Sequence, residues 1–412
     1  MIRRSSAWLM GIVATAFVLR AALALLHPMW FDDSRDYVAL GQAMAAGANY
    51  QVGGMYAARM PGYPALIAAV FRVVGPGAVG IGVLLILQAA LGAACCYLTY
   101  LLGRCGSEGV GLVAAALVAL DPLSVAFSAA VLSETPFTFL LLLALVLVGQ
   151  IRTAPERIGW WLMLGVVGGA TVYMRASAFW LMLVVLPVIA RAGSPLASAV
   201  PAASRGTGLR QRGGFLICLC CVLLMLAPWW IRLDSRAATH GIRFTSLEGL
   251  SLYEVVYPEA DGGPRQDKIA LPPAMRGLTE GERNAAWNRR AWQCMLTEPG
   301  RILRLAPLKL ARTWSPIFNT ELFGQWPIQA AMFAWHVPLY LLALLGLAVA
   351  WRCRAAYWVV LAPVLYFTCL HAIYMGSVRY RAPLMPLVLL LAAAGLMWLW
   401  DRRRQRSANS RV

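Results

Sequence analysis

Charged residues are scarce in this sequence. Only 13% of its 412 residues are charged and only 18 are Asp or Glu, whereas 60% are hydrophobic. Soluble domains carry about a quarter charged residues. This shortage excludes an ordinary soluble domain and favours a membrane protein.

Cysteine and histidine are also sparse. The chain has nine cysteines, of which only Cys294 lies in a region that we expect outside the cytosol, so a disulfide-stapled domain is excluded. Neither residue type suggests a structural zinc site. The scattered histidines, each interpreted more simply as a polar side chain at a helix end, are His27, His240, His336 and His371.

Apolar segments of about 20 residues, the length that a helix needs to cross a bilayer, recur along the chain. They predict an all-α polytopic membrane protein with about ten transmembrane helices. The first segment resembles a signal peptide, but no convincing cleavage site follows it, and we expect a retained helix. The predicted spans are residues 7–26, 78–102, 109–128, 136–151, 158–174, 176–191, 214–231, 327–350, 356–374 and 382–400.

The arginines between these spans indicate their orientation. With the N-terminus inside, the cytosolic connectors hold sixteen arginines against three acids, and the other fifteen of the 18 acids fall outside. This distribution follows the positive-inside rule, so both termini are expected in the cytosol. The net charge of +18 is then explained by contact with anionic membrane lipids, and no nucleic-acid partner is expected.

Two exported regions are too long to be simple turns, and long loops of this kind are often functional. The first, residues 27–77, contains two short helical patterns that should lie at the membrane surface. The second, residues 232–326, begins with a strand-like stretch at 241–257 and ends in two helices. The last helix carries four cations within one arc, Arg301, Arg304, Lys309 and Arg312.

Three carboxylates, Asp32, Asp33 and Asp36, follow the first span within five residues. Clustered carboxylates shift one another's pKa and suit a general base or a metal site. The alternative is that Asp32, Asp33 or Ser34 caps the following helix. Glu134 lies at the exported mouth of a short loop, where an acid marks either a functional site or a helix N-terminus.

Four arginines on the exported side stand within or beside short motifs. Each alone could be a snorkelling side chain, as could Arg20 near the outer end of the first span. Because arginine binds phosphate oxygens bidentately, the four together predict a cationic phosphate pocket. They are Arg59, Arg175, Arg379 and Arg381.

Taken in order, the motifs resemble the GT-C superfamily of polyprenyl-phosphate-sugar-dependent glycosyltransferases. The nearest types are bacterial proteins similar to protein O-mannosyltransferases and lipid A aminoarabinose transferases. The segments that carry the resemblance are Asp33-Ser34-Arg35-Asp36-Tyr37, Arg59-Met60-Pro61-Gly62-Tyr63-Pro64, Ser133-Glu134-Thr135, Tyr173-Met174-Arg175, Pro228-Trp229-Trp230-Ile231-Arg232 and Arg379-Tyr380-Arg381-Ala382-Pro383-Leu384-Met385-Pro386.

The resemblance implies an inverting, multi-pass glycosyltransferase of the bacterial inner membrane. It would move a hexose or pentose from a polyprenyl-phosphate donor to a lipid, glycan or protein on the periplasmic side. Asp33 is implied as the general base, with Asp32 as a second acid. The implied donor-phosphate residues are Arg59, Arg175, Arg379 and Arg381, and the implied substrate-binding residues are Tyr37, Tyr63 and Glu134.

Metal-dependent relatives carry an acidic pair in the second exported region. We expect no such pair here, so no metal ligand is assigned and a divalent metal is left open. The alternative function is a transporter or flippase of a lipid-linked sugar, although no internal repeat supports it.

The expected parts are a catalytic transmembrane module at 1–231, a periplasmic region at 232–326, transmembrane helices at 327–400 and a basic cytosolic tail at 401–412.

Overall fold

The computed structural model describes residues 2–191, 207–319, 324–352 and 357–409. Within these ranges the chain is helical and contains no β-strand, so the all-helical prediction is confirmed. Short backbone bridges do occur: the Met29 N–H donates to the Ala129 carbonyl at 2.9 Å, and the Val131 N–H donates to the Met29 carbonyl at 3.1 Å. These bonds join the segment before the first carboxylate cluster to the segment before Glu134.

The helices follow the apolar segments and the predicted short helices of the exported regions. In chain order they are α1 (Ile2–Leu26), α2 (Asp32–Ala45), α3 (Gly62–Val74), α4 (Ala78–Gly103), α5 (Glu108–Leu120), α6 (Pro122–Ser128), α7 (Glu134–Thr153), α8 (Ile158–Met174), α9 (Ala176–Arg191), α10 (Thr207–Asp234), α11 (Glu248–Glu254), α12 (Glu280–Thr297), α13 (Pro299–Thr313), α14 (Trp326–Arg352), α15 (Tyr357–Ile373), α16 (Val378–Arg381) and α17 (Met385–Asn409).

Not every predicted span is long enough to cross a membrane. Among the described residues, six helices have the required length and apolar character, and a seventh span results if α5 and α6 are taken together. Helices α8, α9 and α15 are apolar but shorter. The predicted count of ten is therefore not confirmed, although the described parts of the predicted spans fall on helices, and 109–128 falls on two of them. Residue 356 of the span 356–374 lies outside the described residues.

The predicted span 109–128 is broken by a bend of 57° between α5 and α6. Pro122 has no N–H, so the Val118 carbonyl lacks its usual helical donor. The fully buried Arg20 replaces that donor: its Nη2 atom donates to the Val118 carbonyl at 2.8 Å, and its Nη1 atom donates to the Ala119 carbonyl at 3.0 Å. The prediction that Arg20 snorkels is thus wrong, because it stabilises the broken helix.

The second exported region folds as helices and turns, and the predicted strand-like start at 241–257 is wrong. Leu252, Val255 and Val256 are all buried. Their spacing of three and four residues places them on one helical face rather than on alternating faces of a strand. They pack with the buried Ala291 of α12, which makes α11 and α12 one small hydrophobic unit.

Two side chains attach this unit and α10 to the first exported region. The Glu280 carboxylate accepts hydrogen bonds from the backbone N–H groups of Tyr56 at 2.8 Å and Ala57 at 2.9 Å. Arg232 donates to the Tyr56 carbonyl at 3.0 Å and to the Tyr50 carbonyl at 2.9 Å. Both contacts fix the loop directly before α3.

The cations of α13 mostly bind protein atoms. Arg301 donates to backbone carbonyls of the segment after α11, and Arg312 pairs with Asp261 at 3.1 Å. The buried Lys309 donates to the Ile373 carbonyl at 2.6 Å. Burial, followed by the charge of Arg301, lowers the pKa of Lys309 to about 8. These bonds fix α13 against α15 and the neighbouring turns.

Candidate active site

Asp33, in the first turn of α2, is held by two arginines from distant parts of the chain. Its Oδ1 atom accepts a hydrogen bond from Arg59 at 2.5 Å, and its Oδ2 atom accepts one from Arg379 at 2.6 Å. The helix start uses a different side chain, because the Ser34 hydroxyl accepts the Phe31 N–H at 3.0 Å. The Asp33 carboxylate is therefore not used as a helix cap.

The charge state of Asp33 depends on these partners. Burial raises its pKa, but the positive charges of Arg379 and Arg59 outweigh this effect and hold the pKa below its ordinary value of 3.8. Burial lowers the pKa of Arg59, and the charge of Asp33 more than restores it. Asp33 is consequently a carboxylate at neutral pH, whose basicity these arginines reduce.

Glu134 begins α7 and is only 1% exposed. Its Oε1 atom accepts hydrogen bonds from Arg175 at 2.5 Å and from the Nε atom of Arg379. Arg175 also donates to the Ser133 hydroxyl at 3.3 Å. Arg379 therefore contacts Asp33 and Glu134 at once and connects the two acids.

Asp36, the third carboxylate of the cluster noted in the sequence, completes the arrangement, although the resemblance gave it no role. It stands one turn after Asp33 on the same face of α2, a spacing at which side chains are neighbours. Its Oδ2 atom accepts two hydrogen bonds from Arg59, at 3.0 and 3.2 Å. Three acids and three arginines thus form one network, here called the acid–arginine cluster: Asp33, Asp36, Glu134, Arg59, Arg175 and Arg379.

The cluster borders a cavity of about 370 Å³. Asp33 and all three arginines of the cluster line it, and Tyr37 lies between them with its ring centroid 5.7 Å from the Arg59 guanidinium. Cavities of this size hold small organic ligands. Aromatic side chains form much of the wall: Tyr37, Phe179, Trp180, Phe244, Tyr366, Tyr374 and Tyr380.

Arg381, predicted to bind phosphate with Arg379, does not reach the cavity. It is fully buried, donates to the Ser315 carbonyl and lies 5.7 Å from the Tyr340 ring centroid. Residues two positions apart on a helix point about 200° apart. The two arginines of this motif therefore face different sides, and the predicted phosphate set is corrected to Arg59, Arg175 and Arg379.

Three other predicted site residues also lie off the cavity wall: Asp32, Tyr63 and the buried Glu134, which contacts the wall residues Arg175 and Arg379. Asp32 is exposed and is not part of the cavity lining. Tyr63 is completely buried, and its hydroxyl donates to Gln88 at 2.9 Å. Gln88 in turn donates to the Ala130 carbonyl at 2.7 Å, so Tyr63 supports the loop before α7.

An acidic pair does occur in the second exported region, contrary to our expectation. Glu259 and Asp261 have Glu-x-Asp spacing, but Asp261 accepts hydrogen bonds from Arg265 and Arg312 and does not line the cavity. No group of three or more potential metal ligands occurs among the described residues. Each acid of the cluster also has an arginine partner, so the structure assigns no metal ligand.

These features define the class: a polytopic helical membrane protein with an acid–arginine cluster beside an aromatic cavity. Residues 58–231 match the family model described as dolichyl-phosphate-mannose-protein mannosyltransferase. The matched range includes Arg59, Glu134 and Arg175 of the cluster. The resemblance to GT-C glycosyltransferases is thereby confirmed for this part of the chain.

Comparison with solved structures finds an oligosaccharyltransferase of Archaeoglobus fulgidus, tethered with an acceptor peptide containing the NVT sequon via a disulfide bond. The likeness has a TM-score of 0.49 and 14% sequence identity, and covers 96% of this chain and 50% of that chain. This chain thus spans about half the length of that protein. No curated protein matches the sequence significantly.

Proposed function

We propose that this protein is an inverting glycosyltransferase that uses a polyprenyl-phosphate-linked sugar on the periplasmic side of a bacterial inner membrane. The observation that supports it most directly is the acid–arginine cluster on the wall of an aromatic cavity. The cluster combines a carboxylate that can take a proton with guanidinium groups that can hold a phosphate.

Arg59, Arg175 and Arg379 are the groups proposed to bind the donor phosphate. Each already holds a carboxylate, so its guanidinium is oriented before the ligand arrives. As the bond between the sugar and phosphate breaks, negative charge grows on the phosphate oxygens. One preoriented donor at such a charge contributes about 2.7–4 kcal/mol to the lowering of the barrier.

Asp33 is the proposed general base. It removes the proton from an acceptor hydroxyl as that oxygen attacks the anomeric carbon, and polyprenyl phosphate leaves from the opposite face. When Arg59 and Arg379 bind the donor phosphate with their remaining N–H groups, its negative charge offsets the positive charges that lower the pKa of Asp33. Donor binding would thus strengthen the base at the moment when it is needed.

The aromatic wall fits a sugar between the phosphate and the acceptor. Phe179 lies 4.9 Å from Trp180 and 5.1 Å from Phe244, between ring centroids, and forms a continuous apolar surface with them. Such a surface can cover the carbon face of a pyranose and exclude water from the reacting atoms. The name of the matched family makes mannose and a protein hydroxyl the first substrates to test.

The test compares Asp33→Asn with Asp32→Asn, an exposed neighbouring acid that does not line the cavity. Each protein in lipid nanodiscs receives radiolabelled undecaprenyl-phosphate mannose and a peptide with serine and threonine. We expect Asp33→Asn to lose about 100-fold or more in transfer rate while it still binds the donor. Asp32→Asn should retain transfer.

Transfer by Asp33→Asn at the wild-type rate would refute its role as the base. A transporter or flippase would give a different result, since it would bind the labelled donor and move it across a vesicle membrane without releasing undecaprenyl phosphate. That outcome for the wild-type protein would overturn the proposed transferase.

A further inference from the structure

A second carboxylate lines the cavity, and the sequence did not single it out. Glu248 is the first residue of α11 in the second exported region and is partly buried. No described residue forms a hydrogen bond or an ion pair with its carboxylate, whereas every acid of the acid–arginine cluster is held by at least one arginine.

The arginines on the wall of the same cavity do not offset the burial of Glu248. Burial alone raises its pKa. Burial, followed by the negative charge of Glu248, raises the pKa of Tyr374, so this tyrosine is a close neighbour on the cavity wall. A carboxylate that is taken out of water without a partner is costly. In a cavity, such a group is a candidate for contact with a ligand.

The position of Glu248 is fixed by the fold. The N–H of the next residue, Gly249, donates to the Asn284 side chain of α12 at 2.7 Å. Helix α12 begins at Glu280, whose carboxylate holds the loop before α3. The unpaired carboxylate is therefore attached, through one helix, to the loop that carries Arg59.

The positive and negative groups of the cavity suit different parts of the two substrates. A donor phosphate is attracted by the arginines and repelled by a second carboxylate. Glu248 instead suits a neutral group that can donate a hydrogen bond. Because the carboxylate is charged, a hydrogen bond to it is stronger than one to a neutral oxygen. A peptide acceptor of the proposed reaction carries such groups in its backbone N–H donors beside the attacking hydroxyl, whose single proton stays available to Asp33.

We propose that Glu248 is an acceptor-binding residue, whose carboxylate accepts a hydrogen bond from the acceptor and orients it in the cavity. The inference rests on the proposed function. In this assignment the arginines hold the donor phosphate, Asp33 takes the proton, and the second exported region contributes directly to selection of the acceptor.

The first experiment measures whether Glu248 is an unpaired carboxylate, independently of any reaction. The wild-type protein is treated at pH 7 with dicyclohexylcarbodiimide, which adds to protonated carboxyl groups, and the modified residues are identified by mass spectrometry. We expect Glu248 to be modified at least several-fold faster than Asp33, whose pKa is lowered by its arginines. Equal or slower modification of Glu248 would overturn the inference.

The second experiment separates acceptor binding from donor binding. Glu248→Ala should raise the acceptor KM for a serine and threonine peptide by about 10- to 100-fold. Glu248→Gln should have a smaller effect, because its amide oxygen still accepts a hydrogen bond. The Kd for undecaprenyl-phosphate mannose and the slow hydrolysis of this donor by water should change less than about twofold. Exposed Glu259, changed to Gln, is the matched control.

The outcomes distinguish the two proposals. If the wild-type protein transfers no sugar to any acceptor, the proposed function fails. If the wild-type protein transfers sugar and Glu248→Ala has the wild-type acceptor KM, only the assignment of Glu248 fails. Loss of donor binding in Glu248→Ala would also contradict it, because the residue would then support the whole cavity.

Discussion

Arg379 is the most informative position for a single substitution, because it contacts both Asp33 and Glu134. Arg379→Lys keeps the positive charge but cannot reach two acids with one planar fork. Each acid retains another arginine, Arg59 for Asp33 and Arg175 for Glu134. Neither carboxylate is left alone, so we expect a loss of only about 1–3 kcal/mol in the free energy of unfolding.

The expected effect on the reaction is larger than the effect on stability. Arg379→Lys should lower kcat for sugar transfer by about 100- to 1,000-fold, the range for loss of one oriented donor at a developing negative charge. The assay follows release of undecaprenyl phosphate at saturating donor, together with the donor Kd. A modest change in Kd with a large change in kcat would indicate stabilisation of the transition state.

Arg381→Lys provides the control, because Arg381 stands two residues away in the same motif and does not line the cavity. It should lower thermal stability, since Arg381 binds the Ser315 carbonyl from a buried position, and keep kcat within a few-fold. If both variants lose transfer equally, or if Arg379→Lys retains the wild-type kcat, the proposed role of Arg379 is refuted.

Three further predictions concern the framework of the site. The pKa of Asp33 in the folded protein is lowered from its ordinary value of 3.8. Its contribution to stability is therefore present above pH 3.8 and is lost as the pH falls through the pKa of the folded protein. The difference in melting temperature between wild type and Asp33→Asn should accordingly shrink below about pH 4. Gly62→Ala places a Cβ atom 2.5 Å from the Tyr173 backbone and should destabilise the protein by about 1–3 kcal/mol in denaturant, whereas Gly82→Ala meets no atom within 4 Å and should not. Glu280→Ala removes the acceptor of two backbone N–H groups and should speed proteolysis of the loop before α3. An unchanged rate of proteolysis would show that Arg232 holds the loop without Glu280.

The helical fold could be predicted because apolar segments of membrane length are distinctive. The break between α5 and α6 was harder, since Pro122 alone does not show whether a helix kinks or ends. The break depends on a tertiary contact, because Arg20 on α1 donates hydrogen bonds to the carbonyls at the end of α5. The strand-like prediction at 241–257 failed because β-branched residues there bury on a helical face against α12.

The acid–arginine cluster was partly predictable from single residues. Arg59, Arg175 and Arg379 stood out because each lies in a short motif on the exported side. Arg381 does not join them because it points to a different side of its helix than Arg379, and a sequence motif does not show this direction. Glu248 gave no signal, because an isolated acid in a long exported region is ordinary until the fold places it in a cavity.

The bridge at Met29 also matters for anyone who builds hybrid enzymes. Because its backbone bonds to Ala129 and Val131 tie together the two loops that lead to Asp33 and Glu134, neither loop has an independent register. Transplanting one of them alone would remove the native partner of these bonds, which then no longer fix the two carboxylates relative to each other. Residues 29–33 and 129–134 should therefore be exchanged as a single cassette.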